Sequence, residues 1–424
     1  MSTNLAVGVV EAPVAPERKA KRPRWFWYAV IGGGLLVIST LRVITGANDI
    51  DSSGATAAMI GLTMPILLAG LGGLWSERAG VANIGLEGMM ILGTWGGAFF
   101  AYYYGVWAGL FGAILLGVVG GAVHALATVI FGVDHIVSGV AVNLLGAGAA
   151  SYLAVRTFKN LPGGGETQSP PLDSFPALTI APAADALGEM ERSGTWLLAD
   201  IAGILRALVN NLSVVTILTV LLVIGTWWVL WRTAFGLRLR SCGEAPQAAE
   251  TLGVNVIKYK FIAVLISGGF AGLGGGFLAL VASNLYREGQ TAGRGYIGLA
   301  AMIFGNWRPG GLTAGAALFG YTDAINLRGR GDVIRAYLLP IAIFLIVWGI
   351  WQIVRRRQGK PLTGVVPVVT GVLAFAWFFL TSAVPREFTG MTPYVATLLV
   401  LAFASQRLRM PKADGQVYRK GEAR

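Results

Sequence analysis

Residues 209–231 read VNNLSVVTILTVLLVIGTWWVLW, a run of 23 residues without one charged side chain. A helix needs about 20 apolar residues to cross the ~30 Å hydrocarbon layer of a bilayer, so this run predicts a membrane-spanning helix. The whole chain has the same character, since 55% of its 424 residues are hydrophobic, only 13% are charged and 60 are glycine. The composition predicts a protein with lipid as its solvent, whose helices pack closely through small residues.

Eleven further apolar runs predict an all-α polytopic transmembrane helix bundle of about 10–12 spans. The first run follows a basic tail, residues 1–24, and is typical of an uncleaved signal anchor. The other runs, together with 209–231, complete a transmembrane domain from 25 to 406. The eleven are 25–44, 54–74, 81–104, 106–131, 136–155, 261–282, 296–306, 312–327, 333–354, 362–380 and 392–406.

The basic residues predict the orientation of these spans and account for the net charge of +12 without nucleic acid. If the tail 1–24 is cytoplasmic and the runs alternate, 22 of the 33 Lys and Arg residues lie inside. The tail 407–424 and a loop at 232–260 are then cytoplasmic, and the loop 156–208 is external. Residues 296–306 must cross in this arrangement; a re-entrant segment there would invert everything after it. We expect the crossing.

A weak internal repeat relates two glycine-interrupted runs. Residues 84–95 resemble residues 297–307 when one gap is allowed, and the predicted topology makes the two run in opposite directions. Inverted repeats with broken helices near the pathway are typical of transporters. Chance similarity between glycine-rich apolar segments is the alternative explanation.

Few residues offer covalent or metal chemistry. The single cysteine, Cys242, excludes an internal disulfide and is most simply a small filler, and two histidines are too few for a metal site. None of the eight lysines is followed by Ser or Thr, so the chain has no P-loop for ATP phosphates. We therefore expect no enzyme activity, no metal and no cofactor in this chain. If the bundle transports a solute, the energy must come from another chain or from an ion gradient.

Glu87 is the most informative single residue of the predicted spans. An intramembrane carboxylate costs about 2.5 kcal/mol or more and marks a candidate site, here for a substrate pathway. Asn83, four residues earlier, is predicted to share its helical face, and Asn143 adds a second amide that needs partners. The alternative is structural: Glu87 pairs with Arg78 or caps a broken helix, and the amides join helices.

Three aromatic residues are further candidates for the pathway. Trp95, Phe304 and Trp307 offer flat faces on which a planar ring of a substrate can stack. Anchoring at the membrane interface is the commoner role of tryptophan, and the chain has 13 of them.

The cytoplasmic stretch 235–255 reads FGLRLRSCGEAPQAAETLGVN and predicts a short helix between glycine breaks. Pro246 suits its first turn, Glu244 can cap or face its positive end, and Gly253 suits its exit. The stretch is too polar for lipid and too short to fold alone. It therefore requires a partner surface, with Ala248 and Ala249 in its middle.

Four stretches in this order resemble the permease subunits of ABC importers for nucleosides, within the family that also serves simple sugars and branched-chain amino acids. They are SERAGVANIGLEGMM (76–90), EAPQAAETLGVN (244–255) followed by SGGFAGLGG (267–275), GRGYIGLAAMIFG (293–305) and GQVYRKGE (415–422). The chain departs from the family pattern between about 328 and 390, where the spans within 333–380 are predicted to be inserted.

The resemblance implies a bacterial plasma (inner) membrane location and makes 244–255 the coupling helix that docks on an ATPase. It also implies three partners: a second homologous permease, a cytoplasmic ATPase that uses ATP and Mg, and an extracytoplasmic substrate-binding lipoprotein. Other interpretations stay open at this point: a sugar or amino acid substrate, an ion-coupled secondary transporter in which Glu87 titrates, and, least supported, an intramembrane enzyme.

Overall fold

The computed structural model describes residues 24–328, 331–355, 362–395, 397–398 and 408–421, and within these ranges the chain is mainly helical, with two strands of two residues each. Seven of the described helices are long and apolar enough to cross a membrane. The prediction of an all-α polytopic bundle is confirmed. Eleven of the twelve predicted runs coincide with described helices. Most of the twelfth run, 392–406, lies outside the described residues. The predicted basic tail, 1–24, also lies outside them except for its last residue.

The helices are numbered in chain order. They are α1 Arg24–Thr45, α2 Ser53–Arg78, α3 Leu86–Tyr104, α4 Val106–Ala125, α5 His135–Phe158, α6 Ala181–Arg192, α7 Leu198–Val209, α8 Val214–Arg232, α9 Ala234–Glu244, α10 Pro246–Thr251, α11 Val256–Phe277, α12 Arg294–Phe304, α13 Pro309–Arg328, α14 Gly331–Arg355, α15 Leu362–Leu380 and α16 Arg386–Thr389. Short elements are a 3-10 turn at Asn48–Ile50, π-helical turns at Leu126–Ile130 and Leu278–Ala282, and the antiparallel strands β1 Ala177–Leu178 and β2 Leu212–Ser213.

Glycines bring the central helices α3, α4 and α11 into backbone contact. Gly93 of α3 faces Gly272 of α11, which also faces Gly117 of α4. A Cβ at any of these three positions would overlap backbone atoms of the neighbouring helix. Because lipid gives apolar faces no reason to associate, this close contact between small residues is what holds the centre of the bundle together.

The contacts at the ends of α2 and α12 define the two ends of the bundle. α2 ends at Arg78, which bonds to Trp307 just after α12 and lies near Glu244 of α9. We call this the Arg78 end. At the opposite end, residues 286–288, which precede α12, bond to residues 167–169 of the loop after α5. The chain therefore passes from one end to the other before and through α12, as the predicted crossing requires.

The segment predicted as an external loop, 156–208, is a folded helical hairpin for much of its length. α6 and α7 pack on each other and onto the start of the bundle. Asp200 of α7 forms an ion pair with Arg42 of α1, and Glu191 of α6 accepts a hydrogen bond from the Ser53 backbone at the start of α2 (2.8 Å). The hairpin thus belongs to the same folded unit as the first two helices.

The predicted insertion, 333–380, forms α14 and α15 at the side of the bundle. α14 packs with α1 and α13 in a hydrophobic cluster around Leu41, Ile325 and Val333. α15 runs antiparallel to α14, with Gly364 against the backbone of Gly349. This cluster is separate from the hydrophobic core of α3 and α11.

Candidate functional site

The predicted helical span from Val81 is wrong at its beginning. Residues 81–85 are not helical, and α3 begins only at Leu86. The Ala82 N–H donates to Nδ1 of His135 (3.2 Å), and the Ala82 carbonyl lies 3.1 Å from Nε2 of His124. These side chains take the place of helical hydrogen-bond partners, so residues 81–85 enter the bundle without forming a helix.

Asn83 consequently does not share a helical face with Glu87, and that prediction is wrong. Its side chain is fully buried and donates to the Ser267 hydroxyl of α11 (2.9 Å). Its Oδ1 atom has no hydrogen-bond partner among the described residues. A buried polar atom in this state costs about 1–3 kcal/mol, which makes Oδ1 a place where a further polar group can bind.

A second broken helix meets the first one at Glu87. The chain turns at Gly293, whose φ is +79°, and α12 begins with Arg294. The Gly293 and Gly295 backbone amides donate to the two carboxylate oxygens of Glu87, at 2.9 and 2.7 Å. Glu87 is buried in the first turn of α3, so its carboxylate caps the positive end of the opposing helix.

Asn143 of α5 joins the two helix starts. Its Oδ1 accepts from the Gly88 backbone amide (2.7 Å), and its Nδ2 donates to the Ile84 carbonyl (3.0 Å) and to the Tyr296 hydroxyl (2.9 Å). Tyr296 itself is 46% exposed. We refer to Glu87, Asn143 and Tyr296 as the Glu87 cluster.

Sequence reasoning did not single out Tyr296, although it lies in the quoted stretch GRGYIGLAAMIFG. Its position two residues after the start of a broken helix is the signal that points to it.

The three aromatic candidates lie apart from the Glu87 cluster. Trp95 is buried and stacks on Phe99 (5.1 Å between ring centres), and Phe304 packs against Phe319 (6.3 Å). The Trp307 indole N–H donates to Glu77 at the Arg78 end (2.6 Å). The structure therefore brings Glu87 and Asn143 together but not these rings, and their stacking on a base stays a prediction.

The prediction of a single helix over 244–255 is wrong. Glu244 is the last residue of α9, Ala245 is not helical, and α10 has only six residues, Pro246–Thr251. Glu244 therefore does not cap α10. Pro246 does occupy the first position of α10, and Gly253 has a φ of +80° at its exit, both as predicted.

The short helix α10 has a buried and an exposed face. Ala249 is buried against Cys242 and Val256, whereas Ala248 is exposed and Leu252 is 84% exposed. Burial raises the pKa of the Cys242 thiol to about 11, so the thiol stays protonated, in keeping with a filler role. The face with Ala248 and Leu252 is therefore accessible to another protein.

The described part of the C-terminal tail packs along the same segment. The Ala413 amide donates to the Gly243 carbonyl (2.9 Å), and the Tyr418 hydroxyl donates to Glu250 (2.6 Å). A cavity of about 260 Å³ lies between this tail and the start of α10. The tail is thus part of the surface formed by α9 and α10.

No cluster of His, Cys, Asp and Glu suited to a metal ion occurs among the residues that the structure describes. The Glu87 cluster instead offers a carboxylate, an amide and a hydroxyl at the meeting point of two helix N-termini. Such groups can bind polar atoms of a small molecule by hydrogen bonds.

Comparisons with known proteins match most of the chain. The model of a family described as the permease component of branched-chain amino acid transport systems matches residues 55–353. The guanosine ABC transporter permease protein NupQ of Bacillus subtilis (strain 168) is 32% identical over 365 residues, which cover 84% of this chain and 94% of the relative. No solved structure matches.

Two further relatives are similar over a comparable length. The nucleoside ABC transporter permease protein NupC of Lactococcus lactis subsp. cremoris (strain MG1363) is 30% identical over 396 residues, which cover 91% of this chain and 99% of the relative. The putative glucose ABC transporter permease protein TsgC13 of Haloferax volcanii is 32% identical over 375 residues, which cover 87% of this chain and 98% of the relative.

Proposed function

The chain belongs to the family of permease components of branched-chain amino acid transport systems, and we propose that it is the permease subunit of an ABC importer for nucleosides. It is a multi-pass membrane protein whose described part holds seven apolar helices of spanning length. The observation that carries the nucleoside assignment is its similarity, over at least 84% of the chain, to permeases named for guanosine and nucleoside transport.

The proposal includes three protein partners in a bacterial plasma (inner) membrane. A second, homologous permease completes the pathway, a cytoplasmic ATPase binds ATP and Mg, and a lipoprotein outside delivers the substrate. The Arg78 end and both termini lie in the cytoplasm, because most Lys and Arg residues then lie inside. The exposed face of α10, with Ala248 and Leu252, is the surface on which the ATPase docks, and the α6–α7 hairpin lies outside.

The proposed pathway runs past the Glu87 cluster. Tyr296 is half exposed and is held by Asn143, so both can exchange their mutual hydrogen bond for bonds to a nucleoside. Glu87 keeps the start of α12 in place beside them. Closure of the ATPases on ATP displaces α10, and the bundle switches the side to which this cluster opens. No residue of this chain performs covalent chemistry in this mechanism.

A simple sugar is the second candidate substrate, because the putative glucose permease of Haloferax volcanii is as similar to this chain as the guanosine permease.

A competition experiment separates the two candidate substrates. The complete importer takes up labelled guanosine in the presence of a 100-fold excess of unlabelled adenosine, uridine, glucose or leucine. We expect the nucleosides to suppress uptake and glucose and leucine to leave it unchanged. Labelled glucose uptake without guanosine uptake would show that the substrate is a sugar.

A further inference from the structure

The short helix α12 is tied to other helices at both of its ends. At its start, the Gly293 and Gly295 amides bond to Glu87 of α3. Beyond its end, the Trp307 carbonyl accepts two hydrogen bonds from Arg78 of α2, from Nε at 2.9 Å and from Nη2 at 2.5 Å. The 11 residues of α12 span about 16 Å between these two ties, so it is a short rigid connection.

The Arg78 guanidinium also faces α9, which together with α10 we call the coupling segment. Its Nη1 lies 3.8 Å from Oε1 of Glu244, the last residue of α9, and its carbon lies 5.4 Å from the ring centre of Trp231. The Glu244 side chain is 48% exposed, and an ion pair this open contributes little to folding stability. Its position matters more, because the same guanidinium touches both the coupling segment and the residue that ends the α12 turn. We call Arg78, Glu77, Glu244 and Trp307 the Arg78 junction.

The turn that follows α12 is strained and held by its surroundings. Asn306 and Trp307 both have left-handed backbones, with φ of +56° and +51°. Such conformations of non-glycine residues cost about 1 kcal/mol or more each and persist where neighbours enforce them. Here Asn306 accepts a bond from the Arg409 amide (2.7 Å), while Glu77 and Arg78 hold Trp307. A displacement of Arg78 must therefore move or release this turn.

Small residues line the contact between α12 and α2. Gly298 of α12 lies against the backbone of Gly70 and Ile66, and Gly73 of α2 lies against Met302. α12 is thus packed on α2 along its length. The turn after α12 is also bonded to the end of α2, through Trp307 and Arg78. A movement at the end of α2 therefore reaches the start of α12 through packed and bonded atoms alone.

Resting on the proposed function, we propose that Arg78 is a positioning residue that links the coupling segment to α12. A displacement of Glu244 by the ATPase is passed through Arg78 to Trp307, and α12 carries it to the Glu87 cluster at its other end. Arg78 touches no substrate in this account. Its role is to couple ATP hydrolysis to the transport of substrate.

The test replaces Arg78 in the complete importer, with both permeases, the ATPase and the binding protein in lipid vesicles. For Arg78→Gln we expect ATP hydrolysis within twofold of wild type and a fall of about tenfold or more in guanosine transported per ATP hydrolysed. Arg78→Lys keeps the charge but cannot form the forked bond to Trp307, so we expect an intermediate ratio. A ratio equal to wild type in Arg78→Gln overturns the proposal.

Arg232→Gln is the matched control. Arg232 is likewise an arginine that lies over a tryptophan ring, that of Trp227 (5.3 Å), but it ends α8 and lies outside the coupling segment. We expect its transport per ATP to equal that of wild type. If Arg78 only stabilised the fold, its replacement would lower the melting temperature, ATP hydrolysis and transport together and leave their ratio unchanged.

A second measurement needs no variant and covers the case in which Arg78 variants do not assemble. Hydrogen exchange of the wild-type importer is compared with and without trapped nucleotide, in peptides covering 292–299. We expect a change in protection at the Gly293 and Gly295 amides, whereas equal exchange in both states contradicts the proposal. Failure of wild type to transport guanosine would contradict the proposed function instead, so the two failures are distinguishable.

Discussion

At the scale of single residues, Glu87 shows how a buried carboxylate is stabilised inside a membrane bundle. Its two oxygens accept from two backbone amides at the start of α12, where the helix carries partial positive charge. Among the described residues, Glu87 forms no ion pair with a basic side chain, so these amides are what offsets its charge. Because Tyr296 next to it is half exposed, a structural role for Glu87 and a place beside the pathway are compatible.

Replacing Glu87 tests this arrangement. Glu87→Gln keeps one acceptor oxygen but loses the charge and the second acceptor, so we expect the start of α12 to lose about 1–2 kcal/mol of stabilisation. Guanosine uptake per assembled importer should fall about tenfold, a change equivalent to about 1.4 kcal/mol. Glu166→Gln, which removes a charge from the exposed ion pair with Lys159, is the control and should transport normally. Normal uptake by Glu87→Gln would exclude Glu87 from the working site.

Asp414 predicts a pH dependence of the tail. Burial raises the pKa of this carboxyl from 3.8 to about 6, while a hydrogen bond with Glu77, the Gly415 amide and nearby Lys260 oppose the shift. A raised acid pKa stabilises the packed tail below about pH 4, and this contribution is lost as the pH rises to about 6. We expect proteolysis within 411–418 to become faster over this window. In Asp414→Asn the rate should not change with pH; an unchanged pH response in that variant would contradict this origin.

The residues whose structure was predicted correctly are those whose backbone conformation depends on the residue type alone. Pro246 starts α10 because its ring fixes φ, and Gly253 ends that segment because its left-handed backbone suits glycine. Asn83 was wrongly predicted to be helical, because the start of α3 depends on side chains that are distant in sequence. The backbone N–H and carbonyl of Ala82 bond to the side chains of His135 and His124, and no local sequence pattern predicts these contacts.

At the scale of elements, the coupling segment is two helices, α9 and α10, joined at the non-helical residue Ala245. α10 buries Ala249 against Cys242 and leaves Leu252 in solvent, so the short helix is anchored on one side and free for a partner on the other. The tail adds a bond from Tyr418 to Glu250. The proposed docking surface is therefore built from α9, α10 and the tail rather than from one helix.

Leu252 should contribute to ATPase binding. Leu252→Ser removes an exposed apolar side chain without opening a cavity, so the permease should fold normally and bind the ATPase about tenfold more weakly, measured by titration in detergent. Leu178→Ser changes a leucine that is 51% exposed at the opposite end and is the control. Unchanged ATPase affinity in Leu252→Ser would place the docking surface elsewhere.

The sequence predicted the long helices well because each apolar run must satisfy its own backbone bonds in lipid. It did not predict the α6–α7 hairpin. Those helices are amphipathic and interrupted by polar residues, and their position depends on distant partners such as the Arg42–Asp200 ion pair. Hydropathy carries no information on such pairings.

At the scale of the whole molecule, two broken helices run in opposite directions and begin at one place. α3 runs away from the Arg78 end and α12 runs towards it, which agrees with the inverted repeat suggested by residues 84–95 and 297–307. The predicted alternation of the spans already implied opposite directions. That their N-termini meet at Glu87 and Asn143 could not be predicted, because it depends on how α5 and the preceding loops pack.

The central claim is that this permease moves nucleosides only when a separate ATPase hydrolyses ATP. The most direct measurement is guanosine uptake into vesicles that hold either the complete importer or this chain alone. We predict ATP-dependent uptake by the complete importer, unaffected when the proton gradient is dissipated, and none by the chain alone. Guanosine accumulation by the chain alone under an imposed proton gradient, without ATP, would contradict the claim and identify a secondary transporter.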